Sequence, residues 1–250
     1  MAKLKSLLKI EGTLDGMTFY KSQTGDYLVK TKSGVSKSRI DNDPAFRRTR
    51  ENGQEFGHIA SSGKQLRRAL SVAIYDVKDP TMTYRLTKGM GKVKNLDTTS
   101  LRGQRKVGIG IQSPEGKTQL RFFEFNNKSS LDAVLRSDYV LDIPGNQITL
   151  PDMNPMQNLG IPQGATHVEF SAYLLDFDFE TNVSSLQVSN KELKMITNLT
   201  ETVTLIFSEP PSGTVNSFYA LKVAFYQEMN SELYPLNNGA YNAFQLVEVI

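Results

Sequence analysis

The sequence contains no cysteine, no tryptophan and only two histidines. Without cysteine there is no disulfide, no thiolate metal site and no cysteine nucleophile, which fits a reducing cytoplasm. His58 and His167 stand in no metal-ligand spacing such as His-Glu-x-x-His, so both read as structural or exposed side chains. Without tryptophan, the stacking platform of a saccharide-binding domain would fall to tyrosine. No run approaches the roughly 20 apolar residues of a membrane helix. The basic start, Met1 to Glu11, lacks an apolar core of signal-peptide length. The expectation is a soluble protein, cytoplasmic or released as part of an assembly without a classical signal peptide.

Enzyme motifs are missing too. Gly108-Ile109-Gly110 lacks the third glycine of a dinucleotide loop. Gly89-Met90-Gly91-Lys92 does not match a phosphate-binding loop and lies inside a helical pattern, and there is no Gly-x-Ser-x-Gly elbow. Asp176, Asp178 and Glu180 alternate with Phe177 and Phe179, so on a strand the carboxylates share one face. A hard cation wants six or more oxygens, normally gathered by a loop, so a solvated sheet face is the preferred reading. The sequons at Asn127, Asn182 and Asn198 carry little without export. No catalytic residue, cofactor or metal is expected.

Charge is scarce by sign rather than in total. Residues 1–106 hold 22 Lys/Arg against 10 Asp/Glu, and residues 107–250 hold 7 against 16. A dipolar chain of this kind can draw a polyanion to one end or attract its own copies head to tail.

One long helical pattern is present. Asp43 suits an N-cap and Pro44 the first helical position. Phe46, Thr49, Gly53, Phe56, Ala60, Gly63, Leu66 and Leu70 then recur at three- and four-residue steps and share a face. Each interior glycine costs a helix about 1 kcal/mol relative to Ala, so close backbone packing is expected at Gly53 or Gly57, where a leucine would overpack. A second pattern after Asp79-Pro80 puts Met82, Leu86, Met90 and Val93 on one side, which predicts a helical hairpin.

Strands flank it. Leu8, Ile10 and Gly12 lead to a turn at Asp15-Gly16, then Met17–Lys21, a turn at Thr24-Gly25-Asp26, and Tyr27–Lys30. This meander is too small to bury its apolar face alone. Residues 33–42, from Ser33, read as a polar linker. Asn95 to Arg105 reads as a loop and a domain boundary. Beyond it the expected strands are Val107–Ile111, Gln119–Phe125, Tyr139–Ile143, Gln147–Leu150, His167–Leu174, Asp176–Glu180, Ser184–Val188, Thr202–Phe207, Ser217–Gln227 and Ala243–Val249, with Lys191–Leu199 a short helix or strand. Leu174-Leu175 breaks the alternation and predicts a β-bulge or a crossing between sheets. The fold class is therefore α+β, an N-terminal β-meander and helical hairpin followed by an antiparallel β-sandwich. The expected segments are 1–42 (meander and linker), 43–105 (basic hairpin) and 106–250 (acidic sandwich).

The run Gly12-Thr13-Leu14-Asp15-Gly16-Met17-Thr18-Phe19-Tyr20-Lys21, then Asp26-Tyr27-Leu28-Val29 and Asp43 to Asn52, resembles a family of Bacteroidota proteins of unknown function. Phe225-Tyr226-Gln227-Glu228 and Asn238-Gly239-Ala240-Tyr241-Asn242-Ala243 are similar to it as well. The resemblance implies a bacterial source and carries over no functional residue.

The favoured function is a non-enzymatic structural protein that self-assembles, a particle, tube or filament subunit. The alternative is a nucleic-acid- or polyanion-binding protein using the hairpin's basic stripe, Arg47, Arg48, Arg50, Lys64, Arg67 and Arg68. No nucleic-acid motif or aromatic interleaving surrounds that stripe. The same six residues are candidate inter-subunit contacts. A saccharide-binding sandwich is the third reading.

Overall fold

The structure, a computed structural model, describes residues 2–4, 9–22, 25–31 and 34–250. Leu8, Thr24 and Ser33, used in the strand, turn and linker expectations, lie outside them. The chain forms two compact units, 1–52 and 53–250.

The first unit holds β1 (Ala2–Lys3), β2 (Gly12–Leu14), β3 (Met17–Lys21) and β4 (Tyr27–Thr31), in the antiparallel order β1-β4-β3-β2. Asp15 and Gly16 both take positive φ, 43° and 77°, which is the backbone a two-residue hairpin needs to join Leu14 to Met17. Part of the expected linker is helical: α1 (Lys37–Asn42) is capped by Ser36, which accepts from the Arg39 N–H. Asp43 then caps a 3₁₀ turn over Pro44–Phe46 by accepting from the Ala45 N–H at 2.9 Å. The helix α2 (Arg47–Ala69) follows, and the division between the units falls within it.

The second unit continues with α3 (Ser71–Ile74), α4 (Met82–Asn95), α5 (Val107–Gly110), α6 (Pro114–Leu120) and α7 (Leu131–Val134). Next come β5 (Val140–Asp142), β6 (Gln147–Met153), α8 (Pro155–Asn158) and β7 (His167–Phe177). The last strands are β8 (Ser184–Val188), β9 (Glu192–Met195), β10 (Glu201–Ile206), β11 (Asn216–Met229), β12 (Glu232–Pro235) and β13 (Ala243–Val249).

A six-stranded antiparallel sheet runs through the middle of this unit, in the order β12-β11-β7-β8, with β13 also on β11 and β9 also on β7. Its two faces have different covers. Val168, Phe170, Ala172 and Leu174 of β7, with Tyr219, Leu221, Val223 and Phe225 of β11, pack with Ile148, Leu150, Val203 and Leu205 of the small sheet β10-β6-β5. Tyr173, Leu175, Phe177, Phe218 and Ala220 on the opposite face pack with Leu66, Leu70, Leu86, Met90, Val93 and Leu120 of the helices. A strand buried on both faces loses the apolar–polar alternation. That is why Leu174 and Leu175 stand side by side: they serve opposite cores, and the pairing of β7 with β11 runs unbroken through them. The predicted bulge or crossing is not there. Asp176–Glu180 is not a separate strand either, since β7 ends at Phe177.

The hairpin forms, with α2 and α4 antiparallel. Lys94 meets Glu55, and a Cβ built on Gly63 would lie 3.7 Å from Leu86 and Met90. Leu86, Met90 and Val93 are buried as expected. The stripe on α2 is displaced from its expected place. Leu66 and Leu70 are buried, but Phe56 is 62% exposed and Phe46 is half-buried. Gly63 is buried as expected, and Glu55 and Ser62 take the other inward positions. A charged residue inside the stripe hid its true phase. Gly53 and Gly57 have open space where a side chain would go, so the close packing expected there is absent.

The expected strands at Val107–Ile111 and Gln119–Phe125 are instead α5, α6 and the turn after them. Ser113-Pro114, read as a turn, is an N-cap: Ser113 accepts from the Gly116 N–H at 3.0 Å. Val107, Ile111 and Leu120 thus join the helical layer, and the sandwich proper begins near Val140. Lys191–Leu199 resolves into the strand β9. Lys222 ties the sheet to the helical layer: its buried ammonium donates to the Ala73 carbonyl at 3.0 Å and pairs with Asp76.

Candidate functional site

In the first unit, directly paired residues share a sheet face. Phe19 faces Val29, Met17 faces Leu14, and Tyr27 lies on the same side opposite Lys21. One face therefore collects Leu14, Met17, Phe19, Tyr27 and Val29. None of them is buried, and neither is any other residue of 3–4, 9–22, 25–31 and 34–52. The unit carries 11 Lys/Arg against 6 Asp/Glu.

The six basic residues divide between the two units. Arg47 pairs with Glu51 at 2.9 Å, and Arg50 donates to the carbonyls of Ile40 and Asp43 at 2.6 and 3.0 Å, closing the turn before α2. Arg48 is exposed. Lys64, Arg67 and Arg68 lie in the part of α2 that belongs to the second unit. They line a shallow groove with Tyr75 and Met82, and Arg67 donates back to the Gly63 carbonyl. They belong to the second unit, whereas Arg47, Arg48 and Arg50 belong to the first.

The three carboxylates read on one strand face are separated. Asp176 is buried and accepts from the Ser212 N–H at 2.9 Å and the Ser217 hydroxyl at 2.5 Å. Asp178 caps the next turn through the Glu180 N–H and the Thr181 hydroxyl, both at 2.7 Å. Among the described residues no group of three His, Cys, Asp or Glu is placed to hold a metal ion. His58 is structural: its Nε2 accepts from the Val107 N–H at 2.9 Å, and burial lowers its pKa. No helix among the described residues is long and apolar enough to cross a membrane.

Glu124 is the carboxylate that sequence reasoning missed, because its segment read as a strand. Burial pushes its pKa up to about 7, against hydrogen bonds from the Leu131 N–H at 2.9 Å and Gln245 at 2.5 Å. Its second oxygen is buried without a partner. The folded pKa exceeds the unfolded one, so the native state holds the proton longer. Stability from this group is full below about pH 4.5 and declines as pH rises through 7. Glu124→Gln keeps the accepting oxygen and removes the charge. It is expected to raise stability at pH 8 by about 1–2 kcal/mol, after discount for partial exposure, and to leave pH 4 unchanged. Urea titrations at both pH values check this, and equal shifts at the two would refute it.

No family model, no curated protein and no solved structure matches the chain.

Proposed function

We propose that the chain is a structural subunit that assembles with copies of itself through its N-terminal sheet. One observation carries this reading: three strands present the apolar face Leu14, Met17, Phe19, Tyr27 and Val29, and no residue of 3–4, 9–22, 25–31 and 34–52 is buried. A small sheet with no core of its own needs a cover. Charge favours a second copy as that cover, because the first unit is basic and residues 107–250 carry 16 Asp/Glu against 7 Lys/Arg. A candidate acceptor is the rim of the large sheet at β8 and β9, where Val188, Leu193 and Met195 are exposed beside Glu192. Edge strands with exposed apolar side chains invite a further strand. Such a contact joins different surfaces on the two copies, so it propagates as a ring or filament.

Sedimentation of the full chain at micromolar concentration and low salt tests it. The expected result is an oligomer that dissociates as salt rises and that Phe19→Glu reduces to a monomer with an unchanged melting temperature. A monomeric wild type overturns the reading. So does Phe19→Glu that lowers the melting temperature of an already monomeric chain, because the face then packs within its own molecule.

A further inference from the structure

A cleft of about 610 Å3 opens in the second unit between the end of α6, the segment around α7 and the last strand. Its size falls in the range of small-molecule sites, roughly 300–1,000 Å3. At its rim stands Phe122, in the left-handed conformation at φ 62° with its side chain 52% exposed. A bulky residue at positive φ is a true outlier, and glycine or asparagine would satisfy the turn without strain. The backbone is held there by the Phe122 N–H, which donates to the Leu246 carbonyl at 2.7 Å. Exposure gives the ring little packing in return. Strain of this kind collects where a side chain is needed for something other than folding.

The wall chemistry narrows what the ring is for. Arg121 stacks on Phe122 at 4.7 Å and pairs with Glu248 at 3.1 Å. Arg136, Asp132 and Asp138 line the cleft and form no ion pair among the described residues. The Ser137 hydroxyl is buried in the wall without a partner, and burial raises the pKa of the neighbouring Tyr139 phenol, keeping it a donor. Apolar side chains, Leu141 and Ile143 among them, line the rest. A compact anion entering here meets three carboxylates, and a cation meets two guanidiniums. A neutral body with many hydroxyls uses donors and acceptors alike and can lay its C–H face on an aromatic ring.

We propose that this cleft binds a saccharide unit, a neutral polyhydroxylated ligand stacked on Phe122 and hydrogen-bonded by Arg136 and the flanking aspartates. This inference is independent of the assembly reading.

Saturation-transfer NMR on the full chain tests it, with maltose, cellobiose and N-acetylglucosamine as neutral probes. Glucuronate and glucosamine serve as charged counterparts, each at about 10 mM. At least one neutral probe is expected to receive saturation through its ring protons. Phe122→Gly and Arg136→Ala are each expected to weaken that binding by about tenfold or more. No transfer to any neutral probe overturns the proposal, as does tighter binding of a charged counterpart or binding that survives both substitutions. Folding is checked separately. Phe122→Gly should melt about 2–4 °C above Phe122→Ala, since both lose the ring and only alanine keeps the strain. Equal melting of the two variants removes the strain argument and with it the proposal.

Discussion

Glu55→Gln is expected to lower the unfolding free energy at pH 7 by about 3 kcal/mol, which is the low end for breaking a buried ion pair. Glu55 lies on α2 and is 4% exposed. Its carboxylate accepts from Arg105 Nε at 2.7 Å and Nη2 at 2.8 Å, and from the Gly103 N–H at 2.8 Å; Lys94 donates to it as well. Two cations thus converge on one anion. Neutralising that anion leaves Lys94 buried and facing Arg105 without compensation. The low end applies because the Arg105 side chain keeps 26% of its surface in solvent. These bonds, with Arg105 the largest contributor, hold the Glu55 pKa at about 2. A depressed folded pKa gives stability that is whole above the ordinary carboxylate value of 4.5 and lost as pH falls through 2. The difference between wild type and Glu55→Gln should therefore be constant from pH 5 to 8 and shrink below it. Urea unfolding across that range reads it out. A variant as stable as wild type at pH 7 would show that the pair only offsets its own desolvation.

The same carboxylate ties the loop after α4 to the hairpin. Glu55 binds Gly103 and Arg105, while Asp97 accepts from the N–H groups of Thr99, Ser100 and Lys106 at 2.9 to 3.1 Å. Residues rich in Asp, Thr, Ser and Gly read as loop, and they are one. Nothing in their order reveals that a buried carboxylate of α2 fastens the loop to the hairpin, because the Glu55 bonds join positions about 50 residues apart.

Legibility followed the range of the physics. Asp15-Gly16 was readable because a hairpin is decided by two adjacent residues with positive φ. Ala243–Val249 was readable because its ends are set by local turns. Val107–Ile111 imitates a strand, because Val, Ile and Ile alternate with glycines, yet it folds as α5. Those glycines answer to a tertiary contact, not to local preference. Leu174-Leu175 misled for a related reason, since alternation presumes one wet face and β7 has none. The apolar face of the N-terminal sheet lay within reach of the sequence, whereas the cleft beside Phe122 did not. Its strain and its wall come from segments that meet only in the folded chain.

Gly110→Ala is expected to destabilise by about 3 kcal/mol or more, and Gly53→Ala to stabilise by about 1 kcal/mol. Both glycines lie in helices at negative φ, so neither is required for its backbone conformation. What differs is the space beside them. A Cβ on Gly110 would lie 2.0 Å from the Val93 carbonyl oxygen and 3.3 Å from the Asp97 nitrogen. These are backbone atoms at the end of α4, which cannot rotate aside. A Cβ on Gly53 meets nothing within 4 Å, and alanine there only removes conformational freedom from the unfolded chain. The close approach expected on α2 thus exists, but between α4 and α5. Gly116 extends it, since its Cβ would lie 2.0 Å from the Gly110 carbonyl oxygen. Urea unfolding reads out both shifts, and an unchanged m-value for Gly110→Ala would assign its shift to the folded contact. Gly110→Ala unfolding at the wild-type midpoint would mean that α5 can move off α4 at no cost, and the glycine contact would then hold nothing together.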